Sequence, residues 1–440
     1  MRKFWLALGL ILSGVALALD TMPDDIEAQW WKPAAEEPAP ALSEEVIPPP
    51  TEKPGPSTPL NPKWAATDFS FQEKALGWSP TAFSTPKGME ERVAFWRDIY
   101  TKYSSDQGVL HDSQYVHMIY ESLDFSDITG QTDLTQKERE KARRKRVDEK
   151  KKEIAERLKR LQDVSDPSAL QGDDLRYWEL FTKIDEPKKF LEAARKGRLR
   201  FQLGQRNQFM NGIYQSGRYL RQMEEIFRQE AVPIELTRLP FVESSFNLRA
   251  RSKVGASGIW QFMRSTARMY MRLDSSADER NDPLRATRAA ARKMRDNYLM
   301  LKTWPLAVTA YNHGPAGVRR LTEKMGTTDL AELTDVRKGR FGFASASFYA
   351  SYLAALEVER NADKYFGMLE VLPELRGAEI SLTKAQKKAD FMKWFGGDLE
   401  LAKTLNPHIT EAVWSGRQPL SHKHVLRVPL MQEQQARSEM

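Results

Sequence analysis

Apolar residues keep helical spacing along most of the chain. Val93, Trp96 and Tyr100 recur at three- and four-residue steps, and residues 115–123 read as a second short helix. Residues 137–161 are dense in charge, yet Val147, Ile154, Leu158 and Leu161 hold one stripe, which predicts a long helix with one buried edge. Phe209, Met210, Ile213, Leu220, Met223, Ile226 and Phe227 then form an apolar face over two helices that break near Ser216-Gly217. Leu236, Leu239 and Val242 lead up to Glu243 at three-residue spacing, with Pro233 suited to a first helical turn and Pro240 a kink or an end. A further helical run is expected over 259–273. Asn281-Asp282-Pro283 has the form of a cap followed by proline at the first helical position, and an alanine-rich helix follows it. Pro305 opens another helix, which ends at Asn312, and Gly314-Pro315 starts its successor. Beyond residue 365 the pattern changes to a strand (380–383), a short helix (Phe391, Trp394, Phe395), a second (Leu399, Ala402, Leu405) and a closing strand (425–428). The expected fold class is mainly α, with a small α+β unit at the C-terminal end.

The first 62 residues stand apart. Arg2 and Lys3 precede an uncharged apolar run over 4–19, and Ala16-Leu17-Ala18 fits a small-residue cleavage site, the layout of an export signal. The run is short for a spanning helix, which takes about 20 residues, so a cleaved signal is favoured over an anchor. Residues 20–62 hold eleven of the chain's 24 prolines and too little apolar surface to fold, which predicts an extended tether.

Composition narrows the chemistry. The net charge of +7 comes from lysines and arginines interleaved with glutamates, and the charged run 137–161 lacks stacking aromatics. That favours a solvated helix over a nucleic-acid surface, although some of its cations suit an anionic envelope polymer. The 440 residues are enough for two or three domains and contain no cysteine, so thiolate metal sites, cysteine nucleophiles and a lipid-bearing cysteine are all excluded.

Glu243 is the candidate for chemistry. It stands where an apolar helical face meets two serines and a glycine-containing loop, a setting that makes a carboxylic acid harder to ionise. Kept protonated near neutral pH, such a group can donate its proton to a leaving oxygen, a role worth about 10² to 10⁴ in rate.

Three ordered segments carry a resemblance: Glu243-Ser244-Ser245, the run ARSKVGASGIWQ over 250–261, and Ala310-Tyr311-Asn312-His313-Gly314-Pro315. They look like the successive motifs of the lytic transglycosylases, lysozyme-like helical enzymes that cut the glycan strands of peptidoglycan. Trp260-Gln261, the stretch FQLGQRNQFMNGIYQSGRYL over 201–220 and the Leu-Pro ahead of VESSF are similar to the membrane-bound lytic murein transglycosylase D group. The resemblance spans roughly residues 201–365. It implies Glu243 as the one catalytic carboxyl, Ser252 as the serine that holds a sugar N-acetyl group or orients the reacting hydroxyl, and Gln261 and Met263 as groove-lining residues. It further implies Tyr311 and Asn312 as the pair beside the acid and Tyr349 as a tyrosine supplied by a closing helix. Structural roles compete for several of these: Ser252 as a turn cap, Met263 as core filler, Asn312 as a helix cap. Arg264, the stretch 269–272 and Ser345-Ala346-Ser347 depart from the family pattern.

The resemblance implies no cofactor, peptidoglycan glycan as the partner, an exported location and envelope contact through the N-terminal segment. The strand, helix, helix, strand order near the C-terminus resembles a LysM glycan-binding module, without its glycine-rich opening turn. The expected organisation is a signal over 1–19, a tether over 20–62, a helical accessory region over 63–200, a catalytic domain over 201–368 and the LysM-like module over 377–430.

The implied reaction uses Glu243 as acid and then base, and closes a 1,6-anhydro ring on N-acetylmuramic acid. Most glycosidases use two carboxyls, and Asp274, Asp278, Glu279 and Asp282 are the available second ones, with Asp282 reading as a cap and the others as loop charges. A hydrolytic muramidase and a silent glycan-binding protein therefore stay open.

Overall fold

A computed structural model describes residues 83–335 and 341–440. The expected signal, the tether and the first part of the region 63–200 lie outside the described residues. The described chain is mainly helical and has three apolar cores.

Helix α1 (Glu90–Thr101) buries Val93, Phe95, Ile99 and Tyr100. It leads into strands β1 (Gln107–Asp112) and β2 (Ile119–Asp124), joined later by β3 (Leu199–Leu203) in an antiparallel sheet of order β2-β1-β3. This corrects the expected helix over 115–123, and the region expected as a helical accessory region carries a small sheet as well. Tyr120 stacks on Tyr177 and donates its hydroxyl to buried Asp112 at 3.2 Å, contacts that a pleated, half-buried ribbon provides. Strand β3 also straddles the boundary expected at residue 200.

Between β2 and β3 runs α2 (Gln136–Gln162), opened by a Thr135/Glu138 capping box. Its stripe of Val147, Ile154, Leu158 and Leu161 is buried against Tyr120, Phe181 and Phe190.

The largest core gathers α3 (Arg206–Ser216), α4 (Leu220–Gln229), the short α5 (Leu239–Glu243), α6 (Pro283–Leu301), α7 (Trp304–His313), α8 (Pro315–Met325) and α9 (Phe343–Arg360). Helix α1 belongs to this core too, packed along α9 with Arg97 paired to Glu357 at 3.4 Å. Helix α9 is buried along most of its length from Phe343 to Val358, with Ala344 exposed and Glu357 partly so, as befits a central helix. Asp282 caps α6 by accepting from the N–H groups of Leu284 and Arg285, with Pro283 next. Thr303 caps α7 in the same way.

The expected helical run over 259–273 is cut to Arg264–Ala267. Residues 256–260 and Phe262 are all buried, which a one-sided surface helix cannot achieve. The chain instead folds into a buried loop closed by bridges from Ser257 to Arg251 and Phe262.

In the C-terminal unit β4 (Ala378–Ser381) pairs antiparallel with β5 (Val425–Val428), and between them lie residues 388–395, α10 (Leu399–Leu405) and a turn of helix at Glu411–Trp414. Its core of Ile380, Phe391, Trp394, Leu405, Val413 and Leu426 is separate from the main one. Polar contacts fasten it to residues 274–282. His424 lies 2.9 Å from Asp274 and 3.2 Å from Glu279, Arg427 reaches Asp282 at 3.3 Å, and the Asp278 N–H donates to the His408 carbonyl at 2.8 Å. No helix among the described residues is long and apolar enough to cross a membrane.

Candidate active site

Glu243 is the last residue of α5. The stretch that begins at Pro233 is split: a 3-10 segment over Ile234–Arg238 precedes α5, and Pro240 sits in the first turn of α5, where its missing N–H costs nothing. Ser244 ends the helix and donates its hydroxyl to the Ile259 carbonyl at 2.8 Å, tying the acid to the buried loop. Ser245 and Phe246 then take left-handed backbone conformations, φ +49° and +56°. Each such non-glycine position costs on the order of 1 kcal/mol or more and persists only where its surroundings enforce it. Here the enforcing contacts are the Phe246 ring wedged edge-on against Phe241 and the close approach of α3. A Cβ on Gly212 of α3 would stand 3.0 Å from the Ser245 carbonyl, so glycine lets that helix reach the turn.

Glu243 is part-exposed, and the loss of solvation around its carboxyl pushes it up to about 7, with Lys293 pulling more weakly the other way. Among the described residues no hydrogen bond or ion pair reaches this carboxyl. Its charge couples to Tyr100 of α1, Lys293 of α6 and Tyr311 of α7, and burial pushes both tyrosine hydroxyls up.

Tyr311 is built into the wall. Its hydroxyl donates to the Trp260 carbonyl at 2.9 Å, its ring meets Phe262 edge-on, and Trp260 is fixed in turn by its own N–H to Thr287 at 2.9 Å. Gln261 has φ +46° and spends its side-chain N–H groups on the carbonyls of Gly258 and Ala250. Its amide therefore braces the loop that bears the half-exposed Met263. Ser252 accepts from the Ala256 N–H at 2.9 Å, the turn-capping role, and is itself half-exposed. Asn312 accepts from Ser345 at 3.1 Å, and Ser345 also lies 3.1 Å from His313. One of the departing serines thus takes up the asparagine. Tyr349 is 1% exposed, with its ring 6.1 Å from that of Tyr352. It lies in the core of α9.

Gly258 is the tightest point of the loop: with φ +78°, a Cβ there would stand 1.9 Å from the Arg280 carbonyl. Gly258→Ala is expected to destabilise the fold by more than the roughly 1–3 kcal/mol of a left-handed strain alone, read as a drop in the urea midpoint of unfolding.

The four carboxyls downstream are all engaged. Burial opposes ionisation of Asp274, yet hydrogen bonds from Ser276 and His424 overcome it and hold the group down at about 2. The same contest, won by Arg280 for Asp278, by His424 and the Arg272 N–H for Glu279, and by Arg427 and His408 for Asp282, holds those three below their ordinary values. Glu243 moves the other way. Opposed tuning of this kind separates a proton donor from structural anions. Among the described residues no cluster of three or more His, Asp or Glu side chains could hold a metal ion.

Lys293 and Tyr100 are the neighbours that motif reading missed. Lys293 lies on the inward stripe with Ala286, Ala290 and Asn297, so a cation at a stripe position was the available signal. Tyr100 gave none beyond its place on the α1 stripe, because it reaches Glu243 only through the tertiary fold.

Residues 223–333 match the model of the transglycosylase SLT domain. The chain is 29% identical over 182 residues to membrane-bound lytic murein transglycosylase D of Escherichia coli, in strain K12 and in an O6:H1 strain, covering 41% of this chain and 40% of the relative. It is 37% identical over 93 residues to a putative tributyltin chloride resistance protein of Alteromonas, covering 20% of this chain and 44% of that one. The matches thus span less than half the length of each relative.

Proposed function

We propose that this chain, which carries a transglycosylase SLT domain over residues 223–333, is a peptidoglycan lytic transglycosylase that cleaves the β-1,4 bond between N-acetylmuramic acid and N-acetylglucosamine. The observation that carries the reading is a single carboxyl pushed upward beside a tyrosine-lined wall, while every nearby alternative is consumed in structure. Protonated Glu243 gives its proton to the glycosidic oxygen, and the bond from that oxygen to the muramyl C1 breaks. The muramyl 6-hydroxyl then attacks C1, and its proton returns to the Glu243 carboxylate. The atoms balance without water, and one group serves both steps in turn. Burial keeps the acid protonated for the first step, and the carboxylate left behind is correspondingly basic for the second.

For the remaining residues we propose the following roles. Tyr311 holds the loop of Gln261 and Met263 against the acid, and those residues with Ser252 and Asn312 line the saccharide side. Tyr349 supports α9 from within, and we assign it no direct sugar contact. The engagement of Asp274, Asp278, Glu279 and Asp282 argues against a hydrolytic muramidase, which needs a second carboxyl to activate water. We further read the C-terminal unit as a LysM-like glycan-binding module, the N-terminal segment as an export signal, and wall glycan in the envelope as the partner.

Mass spectrometry of purified peptidoglycan digested with the full chain tests this. Products one water lighter than hydrolysis fragments are expected. Reducing ends would overturn the one-carboxyl route, and an absence of products would favour a glycan-binding protein.

A further inference from the structure

We infer that Arg251, Lys253 and Arg264 form a basic rim on the loop beside the acid and take the carboxylates of the peptides that muramyl residues carry, so that the chain prefers peptide-bearing glycan; the inference rests on the reading of the site given above.

The charge of this stretch is one-sided. From Ser244 to Leu273 there is no aspartate or glutamate, while Arg249, Arg251, Lys253, Arg264, Arg268 and Arg272 are all exposed. On α2, by contrast, exposed cations are answered by acids: Arg146 meets Asp127 and Lys150 meets Glu153, each at 2.6 Å. Among the described residues no ion pair engages Arg251 or Lys253. Arg264, its side chain 59% exposed, has Asp278 at 3.8 Å, and that carboxylate is already held by Arg280 at 2.7 Å.

The three cations share one braced piece of backbone. The Gly255 N–H donates to the Ser252 carbonyl at 3.1 Å and closes a turn with Lys253 at its tip. Arg251 is bridged to Ser257, and Ser257 to Phe262, two residues ahead of Arg264. Buried Arg280 clasps the arms together, donating to the Gly255 carbonyl at 2.7 Å and to the Phe262 carbonyl at 3.0 Å. Ser252 stands between Arg251 and Lys253, and Met263 directly precedes Arg264. The cations are therefore interleaved with the half-exposed residues read as the saccharide side. Arg264, a departure from the family pattern, acquires a use here.

The ligand follows from the polymer's chemistry. Wall peptides hang from the lactyl group of the muramyl sugar and carry more free carboxylates than amines. A sugar seated against Ser252 and Met263 brings those carboxylates to the rim, where guanidinium groups suit them. An anion tethered to the held sugar needs no further recruitment. A free phosphate polymer would have no reason to favour this loop over other basic surfaces. Because the loop is already braced, little freedom is lost on binding.

The test compares glycan strands bearing their peptides with the same strands after the carboxyls have been converted to neutral methylamides. Both are digested by the full chain and by its triple variant Arg251→Gln, Lys253→Gln, Arg264→Gln. In the wild type, blocking is expected to raise KM about tenfold, from three exposed charge pairs at roughly 1.5- to 5-fold each, with kcat little changed. The triple variant is expected to cleave blocked strands as the wild type does and to show one KM for both substrates. Equal KM values in the wild type, or a difference that survives in the triple variant, overturn the inference. Should the triple variant not fold, Lys253→Glu at the exposed turn tip is read in the same way. If the wild type cleaves neither substrate, calorimetric binding of the two strand preparations decides. Tighter binding of unblocked strands that the variant loses keeps the rim and removes the lyase reading, and equal binding removes the rim.

Discussion

Glu243→Gln is expected to abolish glycan cleavage, a loss of at least about 10² to 10⁴ in rate, while the fold survives. Glutamine has the shape of glutamic acid, and among the described residues no hydrogen bond reaches the wild-type carboxyl, so the substitution breaks no contact. The stability effect has a definite sign. The carboxyl ionises at a higher pH in the folded chain than in the unfolded one, so between those two values the folded state holds the extra proton and stability falls as pH rises. The wild type should therefore match the variant in acid and melt below it once pH has passed through the raised value. Thermal melts across that range, alongside product assays, check both halves. Cleavage by a well-folded Glu243→Gln protein would end the assignment.

Asp282→Ala should be the most costly single change at the C-terminal junction. The residue is fully buried, caps α6 and answers the Arg427 guanidinium. Losing a cap costs about 1 kcal/mol, and removing one partner of a buried ion pair about 3–5 kcal/mol. Glu379, 3.0 Å from Arg427, softens the second figure. Asp282→Asn separates the two contributions, because the amide oxygen still caps while the charge is gone. Its deficit should be present near neutral pH and should vanish as acid protonates the wild-type aspartate, whose depressed value places that loss below the ordinary carboxylate range. Urea titrations at several pH values give both numbers. A midpoint shift for Asp282→Ala no larger than that of a surface substitution, about 0.5 kcal/mol, would contradict this account of the junction.

Local signals were legible in the sequence wherever the physics was local. The Asp282-Pro283 start of α6, the stripe of α2 and the break near Ser216-Gly217 all rest on capping or periodicity within a few residues, and all are present. Of the motif residues, Ser244 next to Glu243 and Tyr311 bond the adjacent carbonyls of Ile259 and Trp260, in the loop that Gln261 braces. The residues 115–123 and 259–273 were misread for opposite reasons. The first is a short ribbon whose spacing also suits a helix. The second is a loop buried on all sides, where apolar content carries no period to read. Lys293 and Tyr100 were hidden for a third reason: each reaches Glu243 from a helix far along the chain.

Arg97 of α1 and Glu357 of α9 meet across a separation of 260 residues. Closing so long a loop costs entropy before any contact repays it, and chains dominated by such distant contacts fold slowly. The two helices share one core, so the acid's surroundings are incomplete until α9 has joined. A chain emerging from its N-terminal end therefore holds α1 without its partner until residues up to α9 have followed. The order of synthesis, and not only the final contacts, decides when this site comes into being.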